Sequence, residues 1–110
     1  MAYNEILADR LREALLPYQH EVEEKNMFGG LTFMYKGKMS CGIVKDELMV
    51  RVIDEKLEIV LEQSHVRLMD FTKRPMKGFV FVEEPAFKSN IDLTRWVELG
   101  IEHVEVQLKK

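Results

Sequence analysis

Three short apolar runs, 31–35, 38–44 and 48–53, follow one another with only two- and three-residue gaps between them. Gaps that short leave room for hairpin turns and nothing else, so the runs read as an antiparallel meander. Lys36-Gly37 is the first turn, because glycine takes the positive φ that a tight hairpin requires. Lys45-Asp46-Glu47 is the second and is polar. Period-two alternation then sorts the side chains. Leu31, Phe33 and Tyr35 share one face, with Thr32 and Met34 on the other. In the next run Met39, Cys41 and Ile43 point one way and Ser40, Gly42 and Val44 the other. In the third, Leu48, Val50 and Val52 oppose Met49, Arg51 and Ile53.

A sheet with an apolar face needs a cover, and the flanking sequence supplies one. Residues 4–16 read as an amphipathic helix with Asn4 as N-cap; Leu7, Leu11, Ala14 and Leu15 form its stripe, and Pro17 ends it. Residues 21–27 are charged and form a short edge strand or a connector. The Gly29-Gly30 pair marks a turn, a bulge or a close backbone approach. After the meander, Asp54 is read as the cap of a helix over 55–63. Its buried side is Leu57, Val60 and Leu61, supported by Ile59. Residues 67–71 form a short strand and 78–83 a stronger one, with Thr72-Lys73-Arg74-Pro75 as the turn between them; Pro75 suits a turn or an edge because it has no N–H to donate. Ser89 with Asp92 three residues on is a capping signal for a last helix over about 91–107. Its stripe is Leu93, Val97, Ile101, Val104 and Leu108, with Trp96 beside it. Gly100 inside that helix costs about 1 kcal/mol relative to alanine, which predicts a close packing partner there. The order is α-β(3)-α-β(2)-α, a two-layer α+β domain with an antiparallel sheet covered by helices.

The chain has 110 residues, which favours a single domain over 1–110. Sixteen lysines and arginines against nineteen acidic residues leave a net charge of −3, so direct nucleic-acid binding is not expected over the molecule as a whole. The single cysteine, Cys41, rules out an internal disulfide and fits a reducing cytoplasm. The N-terminus lacks the pattern of a signal peptide. No apolar run approaches the roughly 20 residues of a membrane helix, so no membrane contact is expected.

Several short segments occur in a telling order: Met27-Phe28-Gly29-Gly30, Gly37-Lys38-Met39 and Leu48-Met49-Val50-Arg51-Val52. They continue with Met69-Asp70-Phe71-Thr72-Lys73-Arg74-Pro75-Met76-Lys77-Gly78-Phe79-Val80 and then Trp96-Val97. Each is weak alone; the ordered set resembles the N-terminal domain of the TfoX/Sxy family over nearly the whole chain. The resemblance implies the α-β(3)-α-β(2)-α architecture. It also implies a link to bacterial regulators of natural competence, which act with the cyclic-AMP receptor protein at certain promoters. Such regulators usually carry a second, C-terminal domain, so this chain reads as a stand-alone copy of the N-terminal one. The family supplies no catalytic residues to carry over.

The residues taken alone offer little chemistry. His20, His65 and His103 lack zinc-motif spacing, and Cys41 in an alternating strand reads as a small core residue rather than a nucleophile. Gly29-Gly30 and Lys36-Gly37-Lys38 match no phosphate-binding fingerprint, and Glu21, Glu23 and Glu24 read as a charged surface run rather than an acid–base pair. No catalytic residue, cofactor or metal is expected, and the chain reads as a non-enzyme. Arg51 alternates with apolar residues, so it is either paired, solvated or an anion contact. Lys73, Arg74 and Lys77 make a local basic patch beside Phe71 and Phe79. The candidate contacts for a partner or anion are therefore Lys38, Arg51, Lys73, Arg74 and Lys77. The leading expectation is a non-catalytic interaction or regulatory module with a protein partner, such as the transcription machinery. The alternative is a small-molecule or anion-binding domain, or an unrecognised enzyme, in which Lys38, Arg51, Arg74 and Lys77 converge. A third reading is direct DNA contact at the turn spanning Arg74 and Lys77. Self-association through a sheet edge or helix face stays open.

Overall fold

The computed structural model describes residues 3–27, 30–70 and 75–109, and of Met27, Met69, Asp70 and residues 75–77 the backbone alone. The elements are α1 (Glu5–Ala14), β1 (Val22–Met27), β2 (Gly30–Tyr35), β3 (Lys38–Val44), β4 (Glu47–Arg51), α2 (Asp54–Leu61), β5 (Val66–Asp70), β6 (Pro75–Val82) and α3 (Asn90–Leu108). Short 3-10 segments, Leu16–Glu21 and Glu84–Phe87, precede β1 and α3. The strands form one six-stranded sheet in the order β1-β2-β3-β4-β6-β5, with antiparallel pairing throughout. The α+β class and the meander are as the alternation predicts, and the charged segment before the meander is a full edge strand.

Helix ends follow from local chemistry. The Asn4 side-chain oxygen accepts from the N–H groups of Ile6 and Leu7, and the Ser89 hydroxyl accepts from Asp92 N–H. Both satisfy orphan donors of a first turn. Asp54 does not cap α2: Ile53 holds the N-cap position, with no side-chain hydrogen bond, and Asp54 is the first helical residue. There its charge still suits the positive end of the helix dipole. Arg10 ties α1 to the loop before α3 by donating to the carbonyls of Phe87 and Lys88, each at 3.0 Å. The Lys36-Gly37 turn has both residues at positive φ (51° and 83°), the geometry that suits a right-twisted hairpin.

All three helices pack on one sheet face. α3 crosses β3 and β4, α1 lies against α3, and α2 sits on β5 and β6. The main core joins Leu7, Leu11, Trp96, Val97, Ile101 and Val104 to Leu31, Phe33, Ile43, Leu48, Val50, Val80 and Val82. Two helix residues depart from the expected stripes. Ile59 is 66% exposed, because it points about 100° away from Val60, the buried residue of α2. Leu108 is 46% exposed, in the last turn of α3.

The face assignment of Met39 also departs from simple alternation. Cys41 pairs with Phe33 but Met39 pairs with Met34, so Ser40 is an extra residue in β3. This β-bulge turns Met39 to the far face, where it packs with Met49 rather than with Cys41 and Ile43. It also presents Ser40 to α3. A Cβ on Gly100 would lie 2.4 Å from the Ser40 carbonyl oxygen and 2.7 Å from its hydroxyl. That is the close partner the helical glycine predicts. Two boundaries shift as well: Glu47 belongs to β4 rather than to the turn, and Pro75 opens β6 opposite Asp70, beyond the stretch of β6 that pairs with β4. A proline there breaks no bond to β4. The expected turn over Thr72–Arg74 and the first glycine of the pair at 29–30 lie outside the described residues.

Candidate functional site

The far face of the sheet carries a second cluster made of strand residues alone: Met39, Met49, Phe79 and Phe81, flanked by Met34 and Val44. Among the described residues no helix contributes to it. The register explains how it is built. Arg51 stands opposite Phe79 and Met49 opposite Phe81 across the β4–β6 pair, and Arg67 of β5 stands opposite Phe81 from the other side. Residues directly opposite share a face and touch. Both guanidinium groups therefore lie over rings, Arg51 at 4.8 Å from the Phe79 centroid and Arg67 at 4.9 Å from that of Phe81. Each such contact is worth about 0.5–1 kcal/mol at an exposed site. Met49 is fully buried because Gly42 leaves room beneath it: a Cβ on Gly42 would come within 2.8 Å of the Met49 methyl carbon.

The two arginines differ electrostatically. Arg67 makes a two-pronged pair with Glu47, one prong from Nη2 to Oε1 at 2.8 Å and the other from Nη1 to Oε2. That carboxylate raises the arginine's pKa above its ordinary value. Arg51 is half-buried, its Nε is sealed from solvent, and it has no hydrogen-bond or ion-pair partner among the described residues. The guanidinium of Arg51 itself occupies the space over Phe79, and the rings of Phe79 and Phe81 are buried beneath the two arginines.

The other expected contacts are distributed differently. Lys38 is opposite Tyr35, which belongs to the helix-covered core, so the register puts Lys38 and Arg51 on opposite faces of the sheet. Lys73 and Arg74 lie outside the described residues, as does the side chain of Lys77. Arg67, Glu47 and Phe81 were missed as site residues. The signal was present, since Arg67 sits between Val66 and Leu68 as Arg51 sits between Val50 and Val52.

Cys41 is buried in the main core, and burial pushes its thiol up to about 12. Deprotonation near neutral pH is strongly disfavoured there. His65 lies 3.6 Å from Glu83 at the surface, whereas His103 is buried in α3. Among the described residues no three histidine, cysteine or carboxylate side chains assemble as a metal-binding group. An open hollow of about 600 Å³ borders α3, lined in part by Tyr18, Lys56, Trp96, Glu98, Glu102 and Glu105. Lys56 and Glu102 pair across it at 2.8 Å. Burial, then the charges of Glu98 and Glu105, raise the Tyr18 pKa. Among the described residues no helix is long and apolar enough to cross a membrane.

An antiparallel sheet with three helices on one face and an arginine–aromatic strip on the other defines a small α+β domain. The chain belongs to the TfoX N-terminal domain family, whose model matches residues 13–104, all of the sheet and most of α3. No curated protein and no solved structure matches it.

Proposed function

We propose that this domain is a non-catalytic, cytoplasmic protein-interaction module with a regulatory role in transcription, of the kind its resemblance to the TfoX/Sxy regulators suggests. One observation carries the reading: the face bearing Arg51 and Arg67 has no helix over it among the described residues, and the two guanidinium groups lie over the buried rings of Phe79 and Phe81. Arginine is among the residue types that anchor protein interfaces. The cysteine, the side chain best suited to covalent chemistry, is by contrast buried and held as a thiol. Affinity capture from a native bacterial lysate tests the proposal. It should return one defined partner in near-stoichiometric amount, such as RNA polymerase or a receptor-type activator. Repeated capture with no specific partner sinks it.

A second reading, a small-anion-binding domain, draws support from the unpartnered Nε of Arg51. The convergence of Lys38 with Arg51 no longer supports it, because the two lie on opposite faces. A thermal-shift screen of nucleotides and phosphorylated metabolites separates the two readings. A ligand-dependent rise in Tm that Arg51→Ala abolishes would favour the second.

A further inference from the structure

β1 is the outermost strand of the sheet; Glu23, Glu24, Lys25 and Asn26 are exposed and Val22 is half-buried. Its pairing with β2 fixes what its outer side offers. Antiparallel residue pairs alternate between those that exchange main-chain hydrogen bonds and those that do not. The Lys36 N–H donates to the Glu21 carbonyl at 2.8 Å, so these two are a bonded pair, and in the observed register Glu23–Met34 and Lys25–Thr32 are bonded pairs too. The N–H and C=O groups of Val22, Glu24 and Asn26 therefore point away from β2, and among the described residues no other strand takes them up. The side chains sort by the same alternation. Glu24 stands opposite Phe33 on the helix-covered face, whereas Glu23 and Lys25 are on the far face, opposite Met34 and Thr32. Arg12 holds Glu24 through both carboxylate oxygens, each at 2.8 Å. Glu23 and Lys25 have no ion-pair partner among the described residues.

From this we infer that β1 is a self-association edge, which pairs antiparallel with β1 of a second copy of the chain about a two-fold axis at Glu24. Such an interface is isologous, so its register must be self-complementary. An axis at Glu23 would set Glu23 against Glu23, and one at Lys25 would set Lys25 against Lys25; like charges directly opposite are destabilising. An axis at Glu24 engages every outward group: Val22 bonds Asn26 of the second copy, Glu24 bonds Glu24, and Asn26 bonds Val22. The same register sets Glu23 opposite Lys25 of the second copy on the far face, and does so on both sides of the axis. The like pair at the axis is already compensated, because its hydrogen bonds from Arg12 hold the Glu24 carboxyl below its ordinary pKa. Apolar surface lies alongside. Leu16 is 54% exposed, at the rim of a hollow of about 190 Å³ that Leu15, Val22 and Phe33 also line. Charge on an edge strand commonly blunts pairing; here the change of sign between Glu23 and Lys25 selects one register instead. The inference stands apart from the arginine-bearing face and from the interaction-module reading.

The experiment is sedimentation equilibrium of the intact chain from micromolar to millimolar concentration, with circular dichroism confirming that each variant folds. The wild type should pass from monomer to dimer as concentration rises. Glu23→Lys and Lys25→Glu each turn both cross-copy pairs into like charges, and each alone should weaken the dimer by about tenfold. An equimolar mixture of the two variants restores opposite charges in both pairs and should form a heterodimer about as tight as the wild-type dimer. Asn26→Pro removes an outward N–H and no bond to β2, so it should leave the fold intact and abolish the dimer. A wild type that stays monomeric at every concentration overturns the inference. So does a dimer that both charge variants leave unchanged, which would assign self-association to another surface. A mixture no tighter than its separate components overturns the antiparallel register at Glu24, and a dimer that survives Asn26→Pro overturns the main-chain ladder; either result sinks the inference.

Discussion

Cys41 shows how burial alone decides the chemistry of a side chain. Its sulfur sits in the core between the sheet and the helices, where a thiolate would lose its hydration and gain no counter-charge. The folded thiol therefore titrates at about 12 against an ordinary value of 9.0. Between those values the unfolded chain releases a proton that the folded chain keeps, so stability falls as pH rises. The loss attributable to this group is at most about 1.4 kcal/mol per pH unit over that window. Tyr18, also raised from its ordinary value of 10.0, contributes with the same sign. Urea denaturation at several pH values, for wild type and Cys41→Ala, should show a steeper alkaline decline in the wild type. Parallel declines would contradict the burial of the thiol.

At the scale of elements, α3 and β3 fit together through a single defect in each. The helix gives up a side chain at Gly100, and the strand inserts an extra residue at Ser40. In a solvent-exposed helix interior, Gly→Ala would stabilise by about 1 kcal/mol. Here the added carbon meets a backbone carbonyl oxygen at 2.4 Å, which a rotamer change cannot move. Gly100→Ala should therefore destabilise, by about 1–2 kcal/mol after the propensity gain is set against the overpacking. Adding Ser40→Gly removes the hydroxyl but leaves the carbonyl, so the double variant should recover little. Full recovery in chemical denaturation would show that the hydroxyl, not the backbone, sets the helix–sheet distance. The glycine was conspicuous in the sequence and its close partner was predictable. The bulge was not, because Met39, Cys41 and Ile43 alternate without interruption and nothing local marks the skipped residue.

For the whole molecule, one core joins all three helices to the sheet. Trp96, the single tryptophan, sits in that core and donates from its indole N–H to the Ala86 carbonyl at 3.1 Å. A chain of this size whose two buried clusters share one sheet should unfold in one step. Urea curves from Trp96 fluorescence and from far-ultraviolet circular dichroism should superimpose, with a slope of about 1–2 kcal/mol per molar. Separated midpoints would show that the helix layer and the sheet come apart independently.

What the sequence by itself determined was local: strand runs separated by short turns, helix starts at Asn4 and Ser89, and the helical stripe from Leu93 to Val104, with Leu108 wrongly added to it. These follow from period, capping and turn chemistry, which act over a few residues. The candidate site was legible only at Arg51, an arginine among apolar neighbours in a strand. Tertiary structure decided the rest. It placed β6 between β4 and β5, which sets Phe79 against Arg51 and Phe81 against Arg67. It turned Met39 over at the bulge and separated Lys38 from Arg51 by the thickness of the sheet. Pairing of residues far apart in the chain depends on which strand edges meet, and that is settled by the packing of the whole sheet rather than by any local pattern.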